Sequence, residues 1–241
     1  MIRSFIAGAA CLLAAGATAQ TIPMPGPITG ATCVSTGTVV VEKTIRVTSG
    51  TFDGGCKTYV PGLSMDLNSH SETVAADSLL FRVENGARLR NVIISHISTR
   101  SNTARAINVY AGATLENIDI RKVFGELAIS VKTAGVVNIT KITSVDSADR
   151  HINAIGVNTR VNISNCVFKN ARKVYRQNGG TTYPTHVSIT NCDISGMSDE
   201  VFRTDSSLST ATLSNSRLRA VPKICTGYAE GKCIVSGMVT Y

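Results

Sequence analysis

From Leu79 onward, short apolar runs alternate with polar residues, and the alternation repeats along the chain. GARLRNVII, GATLENIDI, GVVNITKITS, TRVNISNCVF, THVSITNCDI and TATLSNSRL share one template: apolar side chains at every second position, a polar break, then further apolar residues. Period-two alternation bounded by Gly, Asn, Asp and Ser marks half-buried strands. Asparagine stands at the break at 91, 117, 165, 191 and 215, and Lys141 takes that slot in the third copy, so the intervals are 26, 24, 24, 26 and 24 residues. Self-similarity at such a period predicts a solenoid. Helical repeats would need a sustained 3.6-residue periodicity, and leucine-rich repeats a Leu-x-x-Leu-x-Leu frame; neither is present.

Gly112–Lys132 (GATLENIDIRKVFGELAISVK) reads as one full coil. Leu115, Ile118 and Ile120 alternate with polar neighbours around Asn117, and ELAISVK adds a second strand. A single coil cannot bury its own apolar face. Stacking pairs each strand with those above and below and piles like side chains into columns. Asparagine in a repeated turn slot then forms an amide ladder. The predicted class is all-β, a right-handed parallel β-helix with about 25 residues per coil and about six to eight coils, filling 31–241 as a single domain. Ahead of it, 20–30 (QTIPMPGPITG) reads as an N-terminal arm. Val39–Val41 and Thr44–Val47 read as short strands over one end, Ser49–Tyr59 as a turn around Gly54 and Gly55, and Pro61–Asp77 as a surface loop. Ala220–Tyr241 loses the rhythm, as a terminal cap should.

The first nineteen residues stand outside this pattern. Arg3, the apolar stretch Phe5–Ala17 and the small residues Ala17-Thr18-Ala19 predict a signal peptide over 1–19 and a secreted, extracellular protein. The apolar stretch is short for a membrane anchor, and no later stretch reaches transmembrane length. Six cysteines then remain, Cys33, Cys56, Cys166, Cys192, Cys225 and Cys233, an even number that favours disulfides in an exported chain. The expected pairs are Cys33–Cys56, Cys166–Cys192 and Cys225–Cys233, although six cysteines admit fifteen pairings. Cys166 and Cys192 fall in equivalent slots of successive coils, so a reduced, packed column is the alternative there. No C-x-x-C or Cys/His spacing supports zinc. Lys and Arg outnumber Asp and Glu by 24 to 16, a net charge of +8, which suits a polyanionic partner. With 5% aromatic residues, no Trp and no nucleic-acid-binding motif, an acidic polysaccharide is expected, not nucleic acid or a membrane, and the chain is expected to be a monomer.

FDGGCKTY, FRVENGARLRNVII, the GATLENI coil ending in ISVK, KVYRQNGGTTY and FRTDSSLST follow one another in an order and spacing that resemble the small secreted pectate lyases of polysaccharide lyase family 3. The resemblance runs from Thr51 to Tyr241. It implies a parallel β-helix that cleaves polygalacturonate, the pectin backbone, by calcium-assisted β-elimination. In that reaction a base removes the C5 proton of a uronate, and a cation on the neighbouring carboxylate stabilises the developing enolate-like charge. Residue by residue, Arg176 in KVYR is the first candidate for the base and Lys132 the second. Lys173 matches a family lysine, and Arg150 stands where the family has lysine after the aspartate matched by Asp149. Arg203 belongs to the matching FRTDSS stretch and is expected to bind substrate.

The resemblance also implies calcium as the cofactor, yet Arg105, Arg121 and Lys122 occupy the positions of the family's acidic ligands. Glu126 is retained but is followed by Leu127 in place of an aspartate, which leaves Glu126 and Asp119 as weak metal candidates. Hard cations need several oxygen ligands, usually carboxylates. Two outcomes stay open. Arg105, Arg121 and Lys122 grip the substrate carboxylate in place of the ion; or the metal function is gone and a non-catalytic, pectate-binding protein of adhesin or elicitor type remains.

Overall fold

The computed structural model describes residues 26–65, 79–95, 105–123 and 127–241. The expected signal peptide, the start of the arm, most of the Pro61–Asp77 loop and Glu126 lie outside the described residues. Every strand pairing among the described residues is parallel, and the strands form a parallel β-solenoid of about seven turns with about 24 residues per turn.

Three faces arise because strands turn corners without breaking their ladders. The strand Thr159–Gln177 bends at Asn165 and Asn170, and Thr185–Arg203 bends at Asn191 and Gly196, all four residues having positive φ. The repeating break read from the sequence is the first of these corners. Asn91, Asn117, Lys141, Asn165, Asn191 and Asn215 all adopt φ between 48° and 56°. Asparagine tolerates this left-handed conformation better than other non-glycine residues. Its amide also links coils: Asn117 Nδ2 donates to Asn91 Oδ1 at 2.8 Å, and Asn191 Nδ2 to Asn165 Oδ1 at 2.6 Å.

Between corners, alternation sends every second residue inward. On the first face Leu89, Leu115, Ile139, Ile163, Ile189 and Leu213 stack in register, and on the third face Phe81, Ile107, Ile129, Ile152, Tyr175 and Phe202 do so. All twelve are buried. Each contributes about 1.5–3 kcal/mol over its exposed state, which is the main force holding the coils together.

The expected disulfides are present. Cys33–Cys56 ties the start of the domain to an early coil, Cys166–Cys192 joins stacked slots of the second face, and Cys225–Cys233 staples the cap. The turn expected over Ser49–Tyr59 needs correction. Most of it is the strand Thr51–Pro61, bent at Gly55 and Cys56 (φ 58° and 55°). Parallel partners on both sides, Thr38–Val41 and Arg88–Ile94, outweigh the turn preference of its glycines. The segment just after the arm lies along the first corner: Thr32 N donates to Asn117 Oδ1 at 2.7 Å and Ala31 N to Thr143 Oγ1 at 3.0 Å.

Candidate active site

On the third face the residue after each inward Ile or aromatic points outward. Backbone register therefore stacks Arg46, Arg82, Asn108, Ser130, Asn153, Arg176, Arg203 and Thr226 into one column. Successive members lie about 4.8 Å apart, the spacing of paired strands. Its middle is polar and covered: Asn108, Ser130 and Asn153 are buried, and neither Asn108 Oδ1 nor Ser130 Oγ makes a hydrogen bond among the described residues. Its flanks are cationic. Arg82 Nε lies 2.8 Å from Glu84, which also meets Arg46 at 3.7 Å. Arg176 and Arg203 stand side by side at the other end, with Arg176 Nη2 3.6 Å from Asp205 and Arg203 Nη1 3.7 Å from Glu200.

A second column, three residues earlier in each strand, contains Leu127, Arg150, Lys173, Glu200 and Lys223. Arg105 precedes Ile107 by two residues, as Leu127 precedes its partner Ile129, so the backbone sets Arg105 at the head of this column, where it is buried. Arg150 and Lys173 are brought together on Asp149. Arg150 Nη1 bonds Asp149 Oδ2, while Lys173 Nζ lies 3.1 Å from both Asp149 Oδ1 and Asp199 Oδ2. Lys173 is only 1% exposed, so these two carboxylates are what allow its charge to be buried. Partial burial works to raise the Asp199 carboxyl, but Lys173 and Arg172 outweigh it and hold the group below its ordinary value.

The other expected site residues are placed less centrally. Lys132 follows the strand Leu127–Val131 and, two residues beyond Ser130, faces outward. Arg121 pairs across the second face with Val145, and Lys122 forms the second corner at φ 58°. The Arg121 guanidinium is bound to Asp119 Oδ2 at 2.6 and 2.8 Å, so Asp119 is already committed.

Among the described residues, few oxygen ligands stand near the positions where the resemblance would place calcium. Beside buried Arg105 the column offers Leu127 and then Arg150, an apolar side chain between two cations. Among the described residues no three His, Cys, Asp or Glu side chains gather into a metal-binding group. A dication there would meet positive charge and a methyl surface in place of oxygen ligands.

Sequence reasoning missed the buried and counter-charged partners. Gln177, 1% exposed and next to Arg176, spends its amide on four bonds, and Asp199 and Asp205 accompany Lys173 and Arg176. The signal for the outward column was present in the numbering, since Asn108, Ser130, Asn153, Arg176 and Arg203 recur once per coil. Unlike the corner asparagines, they share no residue type that would reveal the period.

The molecule is thus a parallel β-solenoid with a polar column flanked by arginines on one outward face. The pectate lyase family model matches residues 29–233, and the chain belongs to that family. It is 33% identical over 158 residues to pectate lyase H of Emericella nidulans, a match covering 64% of this chain and 57% of that relative. The chain thus spans little more than half the length of the curated relative it matches. The catalytic domain of pectate lyase PelI from Erwinia chrysanthemi has a similar fold, with a TM-score of 0.58 at 18% identity over 87% of this chain and 99% of that one.

Proposed function

We propose that the protein is a secreted lyase that cleaves polygalacturonate by β-elimination, with Arg176 as the base and without calcium. The reading is carried by the position of Arg176: it stands in the outward column beside Asn153 and Arg203, with Lys173 and Arg150 in the neighbouring column. A uronate laid on the exposed end of this column meets Arg176 and, beside it, the Arg203 cation. The Arg176 guanidinium first releases a proton to solvent, and the neutral guanidine then takes the C5 proton; the C5–H electron pair forms the C4–C5 double bond, and the C4–O bond breaks with its pair left on the departing oxygen, which takes a proton from solvent. The charge that builds on the C6 carboxylate is offset by the Arg203 guanidinium on the adjacent coil, in place of a metal. Outside a reducing cytosol the three disulfides suit the setting in which such a polymer is met.

The test is incubation of the purified protein with polygalacturonate, with calcium or with chelator, while the ultraviolet absorbance of the unsaturated product is followed. Equal product formation under both conditions supports the reading. Product only with calcium refutes the metal-free mechanism, and retained pectate binding with no product under either condition leaves a carbohydrate-binding protein.

A further inference from the structure

Arg176 has a fixed internal counter-ion, and the device that fixes it is the residue next door. Gln177 is buried, and its side chain uses its whole hydrogen-bonding capacity. Nε2 donates to Gly180 O at 3.0 Å and Tyr183 O at 3.3 Å; Oε1 accepts from Thr204 Oγ1 at 3.0 Å and Asp205 N at 2.7 Å. These bonds stitch the loop after Arg176 to the start of the loop on the next coil. Asp205 is the half-buried acid of that loop, and the bond to its backbone NH is the shortest of the four. Thr204 is itself locked, its hydroxyl also meeting Ser209 Oγ at 3.0 Å and accepting from Ser206 N at 3.1 Å. Asp205 is thereby held with its carboxylate 3.6 Å from Arg176 Nη2. The Nε of Arg176 is buried and makes no hydrogen bond among the described residues, so the carboxylate meets the guanidinium only at its outer end.

We propose that Gln177 and Asp205 are positioning residues for Arg176, with Asp205 acting as an internal stand-in for a uronate carboxylate. It orients the guanidinium in the free protein and is displaced when an acidic polysaccharide binds. Arg203 has a parallel arrangement: Glu200 lies 3.7 Å away and accepts from Thr226 Oγ1 at 3.1 Å. The adjacent arginines are thus both charge-compensated before substrate arrives. This inference rests on the reading of Arg176 as a substrate-facing group, and its test separates the two.

The experiment combines the free-protein NMR resonance of Arg176 Nε–H with calorimetric binding of a defined oligogalacturonate at fixed ionic strength. Wild type is compared with Asp205→Asn, Gln177→Met, Arg176→Gln and the double variants. Asp205→Asn should shift the Arg176 resonance, and Gln177→Met should shift it in the same direction while adding little in the Asp205→Asn background. Asp205→Asn should also tighten oligogalacturonate binding by about twofold to fivefold, the scale of an exposed ion pair. That gain should vanish in Arg176→Gln. A gain that persists in Arg176→Gln reflects general charge and overturns the inference. So does a Gln177→Met variant that loses stability yet leaves both the resonance and the Asp205→Asn effect unchanged. If the resonance shifts as expected but no variant binds oligogalacturonate, the positioning stands and the role as uronate stand-in falls, together with the functional reading of the site.

Discussion

His151 makes the stability of this fold sensitive to mild acid. The imidazole is fully buried in the core, its Nδ1 lies 2.8 Å from Ser144 Oγ, and its ring packs against Phe168 at a centroid distance of 5.1 Å. Burial pushes its pKa from 6.5 down to about 3, against a weaker opposing pull from the Lys169 backbone. The folded value is depressed, so the group costs nothing above pH 6.5. Stability is lost as the pH falls, because the unfolded chain takes up a proton that the folded chain refuses. Each tenfold difference in proton affinity between the two states is worth about 1.4 kcal/mol. At pH 5 the loss is therefore about 2 kcal/mol relative to pH 7.5, rising to about 4–5 kcal/mol below pH 3. Urea unfolding at a series of pH values reads it directly. The comparison is with the paired variant His151→Leu, Ser144→Ala, which removes the titrating ring without orphaning the buried hydroxyl. Wild type should lose about 2 kcal/mol more than the variant between pH 7.5 and pH 5. His186, whose pKa is also lowered by burial, contributes in the same direction in both proteins and cancels. Equal slopes for the two proteins would refute the reasoning, for they would mean that His151 can be protonated in the folded state.

Lys173→Met should destabilise the fold by about 2–3 kcal/mol in chemical denaturation, less than a fully buried pair because Arg150 and Arg172 remain beside Asp149 and Asp199. Since the Asp199 carboxyl is held low, the stability it contributes at neutral pH should fade as the pH drops through the carboxylate range, and the variant should show less of that fading. Lys141→Asn should raise stability by about 1 kcal/mol, because asparagine suits the positive φ of 52° and can extend the amide ladder towards Asn165. A lower thermal midpoint for that variant would show that Lys141 holds its corner by contacts an amide cannot replace.

The fold was legible because its corners repeat one residue type. An asparagine every 24 or 26 residues marks a left-handed backbone position that few other side chains tolerate, and the apolar columns follow from alternation on either side. The disulfide at Cys166 and Cys192 was legible for the same reason, as equal slots on stacked coils. FDGGCKTY misled because local glycine and aspartate chemistry favours a turn, while two parallel neighbours impose a strand on it. At the site, Arg176, Lys173 and Arg150 could be named from motif stretches. Their counter-ions could not: the contact of Lys173 with Asp199 and that of Arg176 with Asp205 join consecutive coils, and depend on side-chain directions that no periodicity encodes. The expected charge reversal at Arg105, Arg121 and Lys122 could be read from the sequence alone. That Arg121 is bound to Asp119, and that Leu127 stands in register with Arg150, required the third dimension.

The most direct measurement is the initial rate of unsaturated product formation from polygalacturonate in excess chelator, for wild type and Arg176→Ala side by side. Wild type should form product at the same rate as in calcium, and Arg176→Ala should form none while still binding the polymer. Turnover by wild type that disappears in chelator, or that survives in Arg176→Ala, would contradict a metal-free elimination with Arg176 as its base.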